Sequence, residues 1–346
     1  MNPGRRSRCF VAIAFGAGWL GCAVPVVAPE ELSTAPIAIL YRTLEQGRER
    51  ADELERARGE KPNAALAGEG IMTRSAADQF MDRLRGQRDV PNALQGHIAL
   101  LDPRTGKVEP LLAFVVGAIP VAWSPGRDHL LAVSPHRGVA QLYAYSLERR
   151  ELAPVLRGQQ PRIGGCYGPD GRLAYVQLRK WSGAVDTRIW VTGPQGRGAR
   201  VQTDGPRDQG PACSRDGRFL LYESHGSDGP PVIKAIDLRD EVPEPKAIAR
   251  GLEPAISPLG DWVVYVRDAG DGMRLWRMRP DGTGKSALGA REQGEAEERH
   301  PTISPDGAFV AYVAEEEDRQ RIRVRRMDGT GDRLLLEDGD GTLPVW

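Results

Sequence analysis

The sequence predicts an all-β protein, a six-bladed β-propeller closed by strands from both chain termini, with a small helical insertion in one blade. Three observations predict it. A tight turn of the Ser-Pro-Asp-Gly kind recurs five times, an apolar strand flanks it on either side, and the period is that of a four-stranded unit. The residue before each turn is Trp123, Tyr167, Cys213, Ile256 or Ile303, at spacings of 44, 46, 43 and 47, with Trp346 another 43 residues on.

At 346 residues, with 40% hydrophobic and 27% charged side chains, the chain suits a folded globular protein. Residues 1–21 read as a targeting segment. Arg5, Arg6 and Arg8 form a positive n-region, and the apolar run 9–20 is short for a membrane span. Trp19-Leu20-Gly21-Cys22 resembles the bacterial lipoprotein signal, which implies that Cys22 is lipidated and becomes the mature N-terminus. The alternatives are a cleaved secretory signal and an uncleaved anchor. The two cleaved forms place the body outside the cytoplasm, in the periplasm or at the cell surface, and a lipid would make the only membrane contact. Removing the segment leaves the chain three charges negative, with no basic stripe for nucleic acid.

Residues 22–35 read as a linker and 36–346 as the propeller. Ile37-Ala-Ile-Leu-Tyr41 has the apolar run of a second blade strand, so residues 36–42 are expected to pair with 343–346 and close the ring. The other reading makes it the start of a helix, since a short apolar run does not settle the type. The insertion, about residues 43–92, carries two helical patterns. Residues 44–58 are rich in helix formers with opposite charges at helical spacing. Residues 75–85 have Ser75 as cap and Phe80, Met81 and Leu84 as an apolar stripe.

Each turn has its own logic: proline fixes φ, aspartate bonds its own backbone, and glycine takes the left-handed geometry. Second strands follow at Leu130, Leu173, Phe219, Trp262 and Phe309. Third and fourth strands recur around a further turn in each unit. Cys166 and Cys213 fall near the ends of neighbouring innermost strands. Buried free thiols are the expectation and a disulfide the alternative.

The turns, the apolar strands after them and the Asp-Gly turns of the outer strands resemble the TolB-type β-propeller repeat of bacterial envelope proteins, over about 250 residues. That resemblance implies the fold, with Trp123, Tyr167 and Trp346 as core residues of the repeat. TolB-type proteins carry a separate N-terminal α/β domain, where this chain has only the helical insertion, so a Tol–Pal partnership is not carried over.

Motifs that could carry chemistry are few. Gly284-Lys285-Ser286 lacks the first glycine of a phosphate loop, that position being Arg279, and reads as a hairpin turn. Asp338 and Asp340 lack the spaced ligands of an EF-hand. His136 and His225 fall in second-to-third-strand loops and His300 in a loop leading into a blade, so they are candidate metal ligands on one rim; the bland reading is ordinary loop histidines. His97 and His129 read as strand-edge residues. No Gly-x-Ser-x-Gly elbow is present.

The acidic residues Glu292, Glu295, Glu297 and Glu298, with Glu315, Glu316, Glu317 and Asp318, are expected on one rim. They form either a solvated surface or an interaction patch for a basic partner. The expected function is a non-enzymatic scaffold binding an envelope protein or a cell-wall component, without a cofactor. The alternative is a propeller hydrolase or lyase with a rim active site.

Overall fold

Runs such as Phe309-Val-Ala-Tyr-Val313 are apolar on both faces of the strand, so each needs cover from two sides. In the computed structural model, which describes residues 26–43, 46 and 96–346 except 114, 116, 136–138, 182–183, 194–196, 227–228, 242, 271, 291–295 and 317–318, neighbouring blades supply that cover. Six antiparallel four-stranded sheets form the ring. Each burial of a Val, Leu or Ile side chain between blades contributes about 1.5–3 kcal/mol.

Blade 1 is made by both ends of the described chain. Its inner strand is Asp340–Val345, followed outward by Ile37–Arg42, His97–Leu101 and Val108–Leu112. Ala38 pairs with Val345 and Arg42 with Asp340, so the expected closure is present, and Ile37-Ala-Ile-Leu40 is strand rather than helix. The inner strands of blades 2 to 6 are Ile119–Trp123, Arg162–Tyr167, Asp208–Cys213, Leu252–Ile256 and Glu297–Ile303.

The segment expected as a linker is docked where it is described. Pro29–Glu31 form a short 3₁₀ turn, and Val27 and Leu32 are buried against blades 1 and 6. Glu31 pairs with Arg326 at 2.6 Å. Trp346 Nε1 donates to the Ala35 carbonyl at 2.9 Å, and Trp123 Nε1 to that of Val345 at 3.1 Å. The targeting segment, Cys22 and nearly all of the helical insertion lie outside the described residues. No described helix is long and apolar enough to cross a membrane.

The recurrent turn is architecture. Ser124, Ser214, Ser257 and Ser304 each donate Oγ–H to the turn aspartate, Asp128, Asp216, Asp261 or Asp306. The same oxygen accepts the backbone N–H that opens the second strand, from His129, Phe219, Trp262 or Phe309. Aspartate stands two residues after serine in two blades and four after in the others, yet reaches the same hydroxyl. Residues 279–285 form a hairpin turn leading to the outer strand Ser286–Ala287, as the failed phosphate-loop match implied.

One expectation is corrected. Cys166 and Cys213 are not free thiols but a disulfide, with Cα atoms 5.6 Å apart, joining the inner strands of blades 3 and 4. Adjacent inner strands approach closely around the axis, and the two cysteines stand one register position apart on neighbouring strands.

Candidate functional site: the axial channel

Each inner strand carries a one-residue irregularity. The register shifts between Pro120 and Ala122, Ile163 and Gly165, Gln209 and Ala212, Leu252 and Ala255, Arg299 and Thr302, and in blade 1 opposite Ala38 and Leu40. These are β-bulges, which bend and twist a strand. The residue three before the register position takes a left-handed conformation in five blades: Gly164, Gly210, Glu253, His300 and Leu343, with φ between 51° and 61°. Glycine adopts this without steric cost, whereas an ordinary L-residue is disfavoured by about 1–2 kcal/mol. Blades 5, 6 and 1 hold side chains there in spite of that cost.

With Pro120 of blade 2, these residues form a ring lining a cavity of about 240 Å³ on the axis. The next residues, Val121, Gly165, Pro211, Pro254, Pro301 and Pro344, form a waist shared with a second cavity of about 230 Å³ toward the Ser-Pro-Asp-Gly rim. The first cavity is therefore the chamber on the side of the second-to-third-strand loops.

Polar side chains occupy one side of this chamber. Glu223 is 2% exposed at a position where its register siblings are Leu40, Val133, Val176, Val266 and Val313. A buried carboxylate needs partners, since an unpaired one costs several kcal/mol. Glu223 Oε2 accepts the backbone N–H of Glu253 at 3.0 Å, and its Oε1 lies 3.3 Å from His225 Nε2. The Gln209 amide is 2.9 Å from the same ring nitrogen. Glu253 Oε2 accepts the backbone N–H of His300 at 2.7 Å and stands 3.3 Å from His300 Nδ1. The network Gln209–His225–Glu223–Glu253–His300 thus spans blades 4, 5 and 6. Blades 1 to 3 face it with Leu343, Val121, Ile119, Ile163 and Gly164.

Burial, with the charges of Asp208 and Asp204, holds the Tyr222 phenol well above the ordinary tyrosine range. At the far rim, burial and Asp128 push Tyr167 up to about 12.

Sequence reasoning placed His225 and His300 on one rim, and the structure joins them through two carboxylates. His300 belongs to the inner strand itself rather than to the loop before it, and His136 lies outside the described residues. No group of three or more His, Cys, Asp or Glu among the described residues could hold a metal ion. His97 and His129 open their strands, as expected.

The acidic rim residues are divided. Glu292, Glu295, Glu317 and Asp318 lie outside the described residues. Glu297 and Glu298 belong to the inner strand of blade 6, and Glu297 faces Glu315 in register. Arginines neutralise three of the four described: Arg299 on Glu297 at 2.9 Å, buried Arg325 on Glu298 at 2.7 Å, and Arg321 on Glu316 at 3.0 Å. Glu315 accepts from the Gln320 amide at 3.0 Å. Asp340 opens the closing strand, buried beside Arg319 at 3.9 Å.

Sequence reasoning missed Gln209, Glu223 and Glu253. A signal existed: Glu223 ends FLLYE where the sibling strands read WVVYV and FVAYV, a charge at a core position of the repeat.

No protein-family profile and no characterised protein sequence matches the chain. Among solved structures, TolB from Acinetobacter baumannii superposes with a TM-score of 0.60 at 18% identity, over 72% of this chain and 62% of that one. A protein assigned as TolB from Agrobacterium tumefaciens gives 0.59 at 23%, over 70% and 88%. The chain has the TolB-like β-propeller fold. This chain spans less than two thirds of the Acinetobacter protein. Hydrazine synthase from Kuenenia stuttgartiensis superposes on this chain with a TM-score of 0.58 at 13% identity, over 72% of this chain and 42% of that one. At these identities the likenesses establish the fold and not the function.

Proposed function

We propose that this TolB-like propeller is an exported envelope protein, held to a membrane through lipidated Cys22, that acts as a non-enzymatic scaffold and docks its partner over the polar chamber mouth. One observation carries the reading. The repeat departs from its apolar pattern at Glu223, Glu253 and His300, three side chains that meet at a single mouth. Buried charge disfavours folding unless it is compensated, and here it is aimed at an open cavity. The Cys166–Cys213 disulfide supports an oxidising compartment.

Photo-crosslinking in the native envelope tests the docking. A crosslinking residue at Gly226, beside the mouth, is expected to give a discrete partner adduct. One at Leu259, exposed on the opposite rim, is expected to give none. Equal labelling from both positions overturns the reading. For the anchor, Cys22→Ala is expected to release the chain from membranes; membrane retention of that variant argues against lipidation.

A second reading rests on a specific contact. His300 Nδ1 on the Glu253 carboxylate makes an imidazole–carboxylate dyad, which leaves Nε2 as the nitrogen able to take a proton in a hydrolase or lyase. A substrate turned over by the parent protein and not by His300→Ala would support it.

A further inference from the structure

Resting on the reading of this mouth as the docking surface, we propose that the chamber binds the alkylammonium or alkylguanidinium end of a lysine or arginine side chain carried by the partner. The argument is one of hydrogen-bond and charge complementarity.

Acceptors dominate the polar wall, beside the amide of Gln209. Glu223 and Glu253 bring two carboxylates that are 3% and 11% exposed at the side chain. With His300 Nδ1 held at Glu253, Nε2 is the ring nitrogen left to meet a ligand. Donors are scarce. Of the twelve residues in the ring and waist, five are prolines with no N–H: Pro120, Pro211, Pro254, Pro301 and Pro344. The N–H groups of Glu253 and His300 are already held by carboxylates. Two inner strands carry a buried arginine: Arg299, paired with Glu297, and Arg162, whose guanidinium is held by the Gln141 side chain and the Arg157 carbonyl. Glu223 and Glu253 thus set two carboxylates into one wall of the chamber, and a ligand that donates hydrogen bonds and carries positive charge complements them.

The opposite wall sets the rest of the ligand. Ile119, Val121, Ile163 and Leu343 are apolar, and Gly164 and Gly210 leave room where siblings carry side chains. A cavity of about 240 Å³ holds one extended aliphatic stem with its charged end. Lysine and arginine combine such a stem with a donor-only head. A carboxylate or phosphate ligand would meet like charge, and a wholly apolar one would strip water from Glu223 and Glu253 without replacing it.

Calorimetric titration of the full chain tests this with a capped Gly-Gly-Lys-Gly-Gly peptide, its Nε-acetyllysine form and spermidine. The lysine peptide is expected to bind, the acetylated peptide at least tenfold more weakly, and Glu223→Gln and Glu253→Gln each to weaken the lysine peptide at least tenfold. The acetylated probe keeps the test decisive if a variant fails to fold. Equal affinity for the acetylated peptide, or unchanged affinity in folded variants, overturns the proposal. Spermidine binding tenfold tighter than the peptide also overturns it, by assigning the chamber to a free polyamine. Crosslinks from Gly226 would survive any of these failures, whereas loss of those crosslinks removes the docking reading itself.

Discussion

Glu223 accepts the backbone N–H of Glu253 at 3.0 Å, across the boundary between blades 4 and 5. That bond satisfies a buried carboxylate and helps hold Glu253 in the left-handed conformation, φ 52°, that brings it into the axial chamber. Glu253 repeats the arrangement one blade on, its carboxylate accepting the N–H of left-handed His300. Charge and backbone geometry at the mouth are therefore coupled.

Breaking the first link is expected to cost stability. Glu223→Ala leaves the Glu253 N–H and His225 without their carboxylate and opens a small cavity, a loss of about 2–3 kcal/mol. Glu223→Gln keeps an acceptor and is expected to lose about 1 kcal/mol. Urea unfolding of both variants checks the order; equal losses would show that the hydrogen bond contributes nothing.

The disulfide spans 47 residues of chain. Closing a loop of that length restricts the unfolded ensemble by an amount worth about 4 kcal/mol in the chain-entropy model. The double variant Cys166→Ala with Cys213→Ala, or treatment with a reductant, is expected to lower the thermal midpoint by a comparable shift. The reductant should have no further effect on the variant.

Ring closure depends on the last strand, and Trp346, directly after it, is 5% exposed and bonded to Ala35. Trp346→Ala is expected to destabilise by about 3–5 kcal/mol. Amide exchange should show blade 1 opening before the others. Uniform exchange across all six blades would argue against a local weakness at the closure.

Acid should weaken the turns. The Ser124 hydroxyl on Asp128, the Thr283 hydroxyl on Asp281 and the Thr330 hydroxyl on Asp328 hold these carboxyls below the usual 3.8. A carboxyl with a lowered folded value adds stability that is fully present above its unfolded value and is lost as pH falls through the folded one. Denaturant midpoints should be flat above about pH 5 and fall below about pH 4. In Ser124→Ala the acid-dependent part should shrink, since its hydroxyl is the first cause of the Asp128 shift.

The architecture was legible because repetition makes weak local signals add. Five turns, spaced evenly, set the strand order, and the apolar run at Ile37 with Pro344 near the end marked the closure. Spacing could not choose between thiols and a disulfide for Cys166 and Cys213, which depends on how closely two inner strands approach. The rim charges misled for a related reason: sequence shows Glu297, Glu298 and Glu316, while their pairing with Arg299 two residues on, Arg325 of a different strand and Arg321 across the hairpin is set by which way each side chain faces.

The sequence by itself determined the number of blades, the turn chemistry and the ring, all of which follow from local pattern and period. Only the tertiary structure decided where function can sit. Gln209, Glu223, Glu253 and His300 are scattered over 92 positions, and they meet because three left-handed bulges and closed-ring geometry turn separate blades toward one axis. Proximity across blades is set by packing, which no single strand encodes.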